Sequence, residues 1–353
     1  MFAKFGVTAL SLALGGLLTF ADPSAARELT GLSFVSSYKD THPTVEQVFK
    51  PFIAEAAKKF EGKLSFRYMT TNAVVHDSES FAAISDGRMD FGQVRPSVHS
   101  GKLNLLGVVA LPGLAPNAIV GSLVTEELIQ KFPEVRSELP RNSQHLTAWA
   151  SASYQIHTVK PVKAHSELKD MKIVVWDALA QDYVKAMGAK PILMSSGDTY
   201  LALTKGMADG VICPLAPLRS FKISNVAKHH FILDLGVNTF VFESNKDVWD
   251  SMTDDMRKWV SSETGMKMAL AIGQSLEAGV KEDIKWMEEQ GHTFYYASDA
   301  EREAAFAVFA PFVEAWKKEC EAFDPKLVEK VYAFARERSA YHTAQFRAGK
   351  YAR

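Results

Sequence analysis

Between Glu167 and Leu215 the apolar and polar positions fall into a strand-helix-strand-helix-strand order. Met171 to Trp176 is a short apolar run, broken only by Lys172 and rich in β-branched residues, which predicts a short buried strand. Asp177 can cap the next helix, whose apolar positions Leu179, Tyr183, Val184 and Met187 recur at near-helical spacing until Gly188 stops it. Lys190 to Met194 predicts a second strand. Ser195, Ser196 and Asp198 offer caps for a short helix through Leu201 and Leu203 that ends at Gly206. Ala208 to Cys213 predicts a third strand, closed by Pro214.

The same plan opens the chain. Leu29 to Ser37 predicts a strand, and Thr41 or Asp40 starts a helix with an apolar face of Val45, Val48, Phe52, Ile53, Ala56 and Phe60, stopped by Gly62. Leu64 to Met69 follows as a strand, Ser78 to Ser85 as a short helix and Met89 to Val94 as a third strand. Strands alternating with helices imply largely parallel sheets with right-handed crossovers, and two such units imply two α/β lobes. The chain must cross between them, and Trp149 to His157 and Leu235 to Glu243 are the candidate hinge segments. Beyond Ser244 the periodicity turns helical. Met252, Met256, Trp259 and Val260 form one stripe, and Met266 to Gln290 is long enough to span both lobes. Ala300 to Cys320 and Pro325 to Phe346 are two further amphipathic segments, with aromatic residues that read as core.

Composition narrows the class. With 353 residues there is enough chain for two lobes with real cores, and a formal net charge of −1 implies neither nucleic acid nor an anionic membrane as partner. The first residues read as a secretory signal. Met1 to Lys4 carries one positive charge, Phe5 to Phe20 is apolar, and Ser24-Ala25-Ala26 is a small-residue cleavage site, so residues 1–26 are expected to leave a mature start at Arg27. No cysteine follows the apolar run, so a lipid anchor is not expected. Cys213 and Cys320 are the only cysteines, which excludes a disulfide framework and leaves one bridge open to geometry.

The phrase GAKPILMSSGDTYLALTKGMADG, with the residues before it, resembles the solute-binding proteins of tripartite ATP-independent periplasmic (TRAP) transporters, the family of dicarboxylate and sialic acid receptors. Leu168, Lys169, Lys172, Ile173, Gly188, Ala189, Tyr200, Ala202, Leu203, Gly206, Asp209 and Gly210 match its pattern. The resemblance covers Leu29 to Tyr296. It implies an α/β, two-lobe periplasmic binding protein with a ligand cleft between the lobes and a long lobe-spanning helix. The lobes are expected at 27–150 with 238–285 and at 151–237 with 286–310, leaving 311–353 as a C-terminal helical extension. It further implies a monomeric receptor free in the periplasm, no enzymatic activity, no cofactor, and the small and large membrane subunits of a TRAP transporter as partners.

Two positions depart from the family pattern. Val174 stands where the family usually carries the arginine that clamps a substrate carboxylate as a fork, and valine donates no hydrogen bond. Cys213 stands where an asparagine is common. Tyr154 falls near a second arginine of the sialic acid receptors. Either the ligand lacks that carboxylate, or another cation holds it.

Ligands of open α/β sheets bind beyond the carboxyl ends of the strands. That rule selects Ser37, Thr70-Thr71-Asn72 with His76, and Arg95 in the first lobe, and Trp176, Asp177, Tyr200 and Cys213 in the second. Arg95 is the expected substitute cation; its other reading is a surface arginine flanking a strand. Trp176 shares a strand face with Val174, and with Tyr154 it can sandwich a flat ligand if that face meets the cleft; otherwise it is core. Tyr200 either borders the cleft or packs its short helix. His229 and His230 are neighbours that point apart with no third ligand near, which argues against a metal site. His157 and His165 read as exposed loop residues.

There is no P-loop, GxSxG elbow, HExxH, dinucleotide fingerprint or EF-hand loop. Three classes compete: a receptor that delivers a solute to a transporter, a sensory binding module, and an enzyme on the same fold. The expected ligand is an aromatic or largely apolar organic acid of the indole- or phenyl-carboxylate type. The alternative is a small neutral or cationic solute such as an amino alcohol.

Overall fold

The computed structural model describes residues 29–99 and 101–352, so the expected signal segment lies outside the described residues. Eleven strands follow one another as β1 (Leu32–Ser36), β2 (Phe66–Thr70), β3 (Phe91–Val94), β4 (Ser143–Ala150), β5 (Gln155–Thr158), β6 (Lys172–Val175), β7 (Lys190–Leu193), β8 (Gly210–Cys213), β9 (His229–Ile232), β10 (Thr239–Asn245) and β11 (Thr293–Tyr296). They form two sheets, ordered β2-β1-β3-β10-β4 in the first lobe and β11-β9-β5-β8-β6-β7 in the second.

Each sheet is parallel except for one reversed strand. β10 runs antiparallel to β3 and β4, and β5 runs antiparallel to β8 and β9. These are the strands by which the chain enters the other lobe, from β4 to β5 and from β9 back to β10. The two crossing segments lie side by side, with Ser151 N donating to Asn238 O at 2.8 Å and Tyr154 N to Gly236 O at 2.9 Å. Both fall inside the hinge segments read from the sequence.

The strands form where apolar runs can be buried. In the first lobe Phe34, Phe49, Phe66, Phe91, Trp149 and Phe242 pack into one aromatic cluster, with the Phe34 and Phe242 ring centroids 4.6 Å apart. In the second, Ile173 and Val175 face one side of the sheet and Val174 the other, all three buried, as period-2 alternation requires. Asp177 caps helix Ala178–Ala186 by accepting from Ala180 N at 2.8 Å. Ser195, of the three candidates, caps helix Ser196–Thr204, accepting from Asp198 N.

The long helix Gly265–Glu289 spans both lobes. Its Met268 and Ile272 join the aromatic cluster of the first lobe, while Met287, Val280 and Ile284 pack in the second. It meets helix Asp254–Glu263 at a bend where Gly265 takes φ +58°, a left-handed conformation that glycine adopts without strain. Gly273 lets it approach helix Ala118–Lys131, since a Cβ there would lie 2.8 Å from Ile119 Cα.

The expected single segment Ala300–Cys320 is instead two helices, Asp299–Ala307 and Ala310–Glu319. Pro311 sits in the first turn of the second, the one place in a helix where its missing N–H is harmless. Helix Pro325–Arg347 then packs Val328, Val331 and Ala335 on the core of the first lobe, where Arg338 clamps Glu127 through two 2.7 Å bonds. Cys213 and Cys320 are free and lie in the cores of different lobes.

Candidate ligand-binding cleft

The carboxyl ends of β1, β2 and β3 open onto a cavity of about 480 Å³ in the first lobe. β1 contributes Ser37 and Lys39, β2 contributes Thr70, Thr71 and Asn72, and β3 contributes Arg95. The segment after the short helix Thr71–Val74 closes the ring with His76, Asp77 and Ser78. Local hydrogen bonds fix these loops. Buried Gln93 on β3 donates to Ser37 Oγ at 2.8 Å and accepts from Ser37 N, and the Tyr68 hydroxyl donates to Tyr38 O at 2.6 Å. His76 Nδ1 accepts from Ser78 N and so caps the short turn Asp77–Glu79.

Charge in this cavity is organised around one pair. Arg95 Nη2 donates to Asp77 Oδ2, which uses one nitrogen of the guanidinium and one oxygen of the carboxylate. Arg95 Nε, Asp77 Oδ1 and Thr71 Oγ1 are buried without a hydrogen-bond partner. A buried polar atom left in this state costs roughly 1–3 kcal/mol. All three atoms lie beneath the cavity surface rather than on it. With Lys39, the wall carries two cations against one carboxylate.

In the second lobe the candidate residues are largely committed to one another. Tyr154 is buried, donates to Asp177 Oδ2 at 2.9 Å and accepts from Asn238 Nδ2 at 2.7 Å. Burial first, and then the Asp177 charge, push its phenol well above the usual range. Trp176 is half-buried, its Nε1 donating to Thr199 Oγ1 at 2.9 Å and its ring set edge-on to Phe221. Tyr200, next to Thr199, is also half-buried. Cys213 is fully buried in the cluster that holds Val174, Leu203 and Val211, and burial raises its thiol well above the ordinary value.

The structure thus brings Ser37, His76 and Arg95 together at one cavity and leaves Tyr154, Trp176, Asp177, Tyr200 and Cys213 off its wall. Tyr154 packs with Ile173 and Val175 on one face of the sheet and Trp176 with Val174 on the other, so the two rings do not face each other in this structure. His157, expected in an exposed loop, is fully buried on the central strand β5. It joins His230 at 2.9 Å, and His230 joins His292 at 2.8 Å. Among the described residues no group of three or more His, Cys, Asp or Glu is arranged to hold a metal. Sequence reading passed over Lys39, Asp77, Ser78 and Val98 of this cavity; the only signal for Asp77 was its place beside His76.

The chain matches the model of bacterial extracellular solute-binding protein, family 7, over residues 34–319. It belongs to this family. Its members are solute receptors that work with the membrane subunits of TRAP transporters, and the family consists of transport proteins rather than enzymes. A solute-binding protein of Albidiferax ferrireducens is 24% identical over 247 residues, 68% of this chain and 70% of that one. A TRAP periplasmic solute-binding protein from Bordetella bronchiseptica, solved with bound (R)- and (S)-mandelate, superposes with a TM-score of 0.74 at 25% identity, covering 88% of this chain and 99% of that one. Another from Rhodoferax ferrireducens, with copurified benzoate, gives 0.77 at 21% identity, covering 89% and 99%. No helix among the described residues is long and apolar enough to cross a membrane.

Proposed function

We propose that this TRAP receptor captures an aromatic or otherwise largely apolar organic acid, of the phenyl- or indole-carboxylate type, at the first-lobe cavity. The second lobe closes over the ligand, hinged where residues 150/151 and 237/238 divide the lobes, and the shut form delivers it to one small and one large membrane subunit for import. The ligand favours closure because it bridges both lobes only in that state. The receptor acts as a monomer in the periplasm.

One observation carries the reading. Arg95 stands at the carboxyl end of β3 with its side chain 34% exposed, in a cavity with an excess of one cation. It is the cation that replaces the clamp lost at Val174, which lies fully buried in the core. Planar, bidentate donors suit carboxylates. The aromatic part of the reading is supported by the receptors of this fold solved with mandelate and benzoate. Asp77 supports a second reading, a cationic amino alcohol, since a carboxylate in the cavity lining attracts an ammonium group.

A thermal-shift panel separates the two. Benzoate, phenylacetate, mandelate and indole-3-acetate are set against ethanolamine and choline. A ligand at 100 times its dissociation constant adds about 2.7 kcal/mol to stability. At least one acid should raise the melting point and the amines should not; the reverse pattern transfers the proposal to the amino alcohol.

A further inference from the structure

We infer that Tyr183 latches the open receptor: its hydroxyl ties the second lobe to the Ala110 carbonyl of the first, and closure over a ligand breaks that bond. This rests on the reading that the second lobe closes over the first-lobe cavity.

The residues that line the cavity all belong to the first lobe, so the second lobe stands clear of it and the structure is the open form. Away from the cavity the lobes touch directly. Tyr183, on helix Ala178–Ala186, is fully buried, and its hydroxyl donates to the carbonyl of Ala110 at 2.6 Å, at the end of the turn Leu105–Ala110. Close by in sequence, Gly113 N donates to Leu235 O at 2.9 Å, a second bond between the lobes. Phe309 and Phe312 hold the Tyr183 ring, with centroids 5.7 and 5.8 Å away, and Phe312 packs against the cores of both lobes.

Gly236, on the returning crossing segment, leaves room for this contact. A Cβ there would lie 2.8 Å from the Tyr183 hydroxyl and 3.4 Å from Ala110 O. The bond therefore sits at the pivot, with donor and acceptor on bodies that turn against each other. A hydrogen bond is lost once its distance and angle leave a narrow range, whereas apolar packing around it can slide. It stabilises the open form and not the closed one, and apparent affinity falls with the fraction of molecules that are closed-competent. The net worth of one neutral hydrogen bond sets that effect at about fivefold.

Isothermal titration tests this, using whichever of benzoate, phenylacetate, mandelate, indole-3-acetate, ethanolamine and choline binds the wild type most tightly. Tyr183→Phe keeps the ring and its packing but removes the donor, and it should bind about fivefold more tightly than wild type. A tyrosine that only stabilises the fold would leave affinity unchanged or weaken it. Melting curves show whether the variant folds; if it does not, Gly236→Ala, which drives the hydroxyl off the carbonyl, takes its place with the same expected gain. Should neither fold, hydrogen exchange of the wild type decides, since the Gly113 amide should exchange faster with saturating ligand than without it. Affinity equal to or weaker than wild type in the folded variant, or no acceleration at Gly113, overturns the latch and leaves the cavity reading intact. If none of the six solutes binds the wild type, the cavity reading falls and this inference with it.

Discussion

The Tyr154 hydroxyl donates to the Asp177 carboxylate at 2.9 Å, and in the same geometry accepts from Asn238 at 2.7 Å. Asn238 lies on the segment that returns to the first lobe, and Asp177 caps the helix that follows β6. Two side chains read from the sequence as ligand contacts are therefore linked to each other, and through Asn238 to the crossing between lobes.

Tyr154→Phe removes one hydroxyl and leaves the Asn238 amide without its acceptor. Unfolding free energy should fall by roughly 1–3 kcal/mol. Denaturant titration measures it, and a midpoint equal to wild type would mean the relay carries no stability.

His145 is a buried cation held between two buried carboxylates. Its Nδ1 meets Glu243 Oε1 at 2.6 Å and its Nε2 meets Glu126 Oε2 at 3.0 Å. Burial opposes the charged form, but Glu243 and Glu126 outweigh it and push the imidazole up from 6.5 to about 10. A folded value above the unfolded one means the contribution is complete below pH 6.5 and is lost as pH rises through about 10. First-lobe stability should decline between neutral pH and pH 10, and His145→Leu should cost about 3–5 kcal/mol by stranding two buried carboxylates. A wild type whose first-lobe stability stays flat up to pH 10, or a variant as stable as wild type, would refute the pairing.

The second lobe should respond to acid instead. The Cys213 carbonyl can only accept, so His157 Nε2 carries a proton, His230 Nδ1 donates to His157 Nδ1, and His292 Nδ1 donates to His230 Nε2. Burial foremost, with neighbouring histidines, pushes His157 down to about 4 and His230 to about 2. Burial first, and then Lys228 and His229, lower His292, whose ring lies beside Trp286. These groups stay neutral when folded but bind protons when unfolded near pH 6.5, so their contribution is intact above that value and is lost as pH falls toward 4. Hydrogen exchange from pH 7 to 4.5 should show second-lobe amides losing protection before those around β1 and β3. Simultaneous loss in both lobes would contradict this assignment.

Much of this architecture was legible because buried parallel strands appear as short continuous apolar runs, such as Ile173 to Val175 and Val211 to Cys213, punctuated by caps such as Asp177 and Ser195. The site was less so. Tyr154 and Trp176 look like a pair in sequence, but β8 lies between their strands and β5 runs the other way, so sequence spacing does not say which faces meet. His157 reads as a loop residue because its partner His230 is 73 positions away. Asp77 sits in an irregular loop, where no periodicity marks which side chain turns toward Arg95.

The central claim is that Arg95 holds a ligand carboxylate in the first-lobe cavity. Its most direct test is titration of wild type and Arg95→Ala with mandelate, indole-3-acetate and the carboxamides of both. Removing one partner of a charge pair that the ligand buries typically costs about 2–5 kcal/mol, so the tighter acid should lose at least about thirtyfold in affinity in Arg95→Ala, and its carboxamide should bind comparably weakly to wild type. An Arg95→Ala protein that binds the acid as wild type does, or a carboxamide that binds as tightly as its acid, would contradict the account.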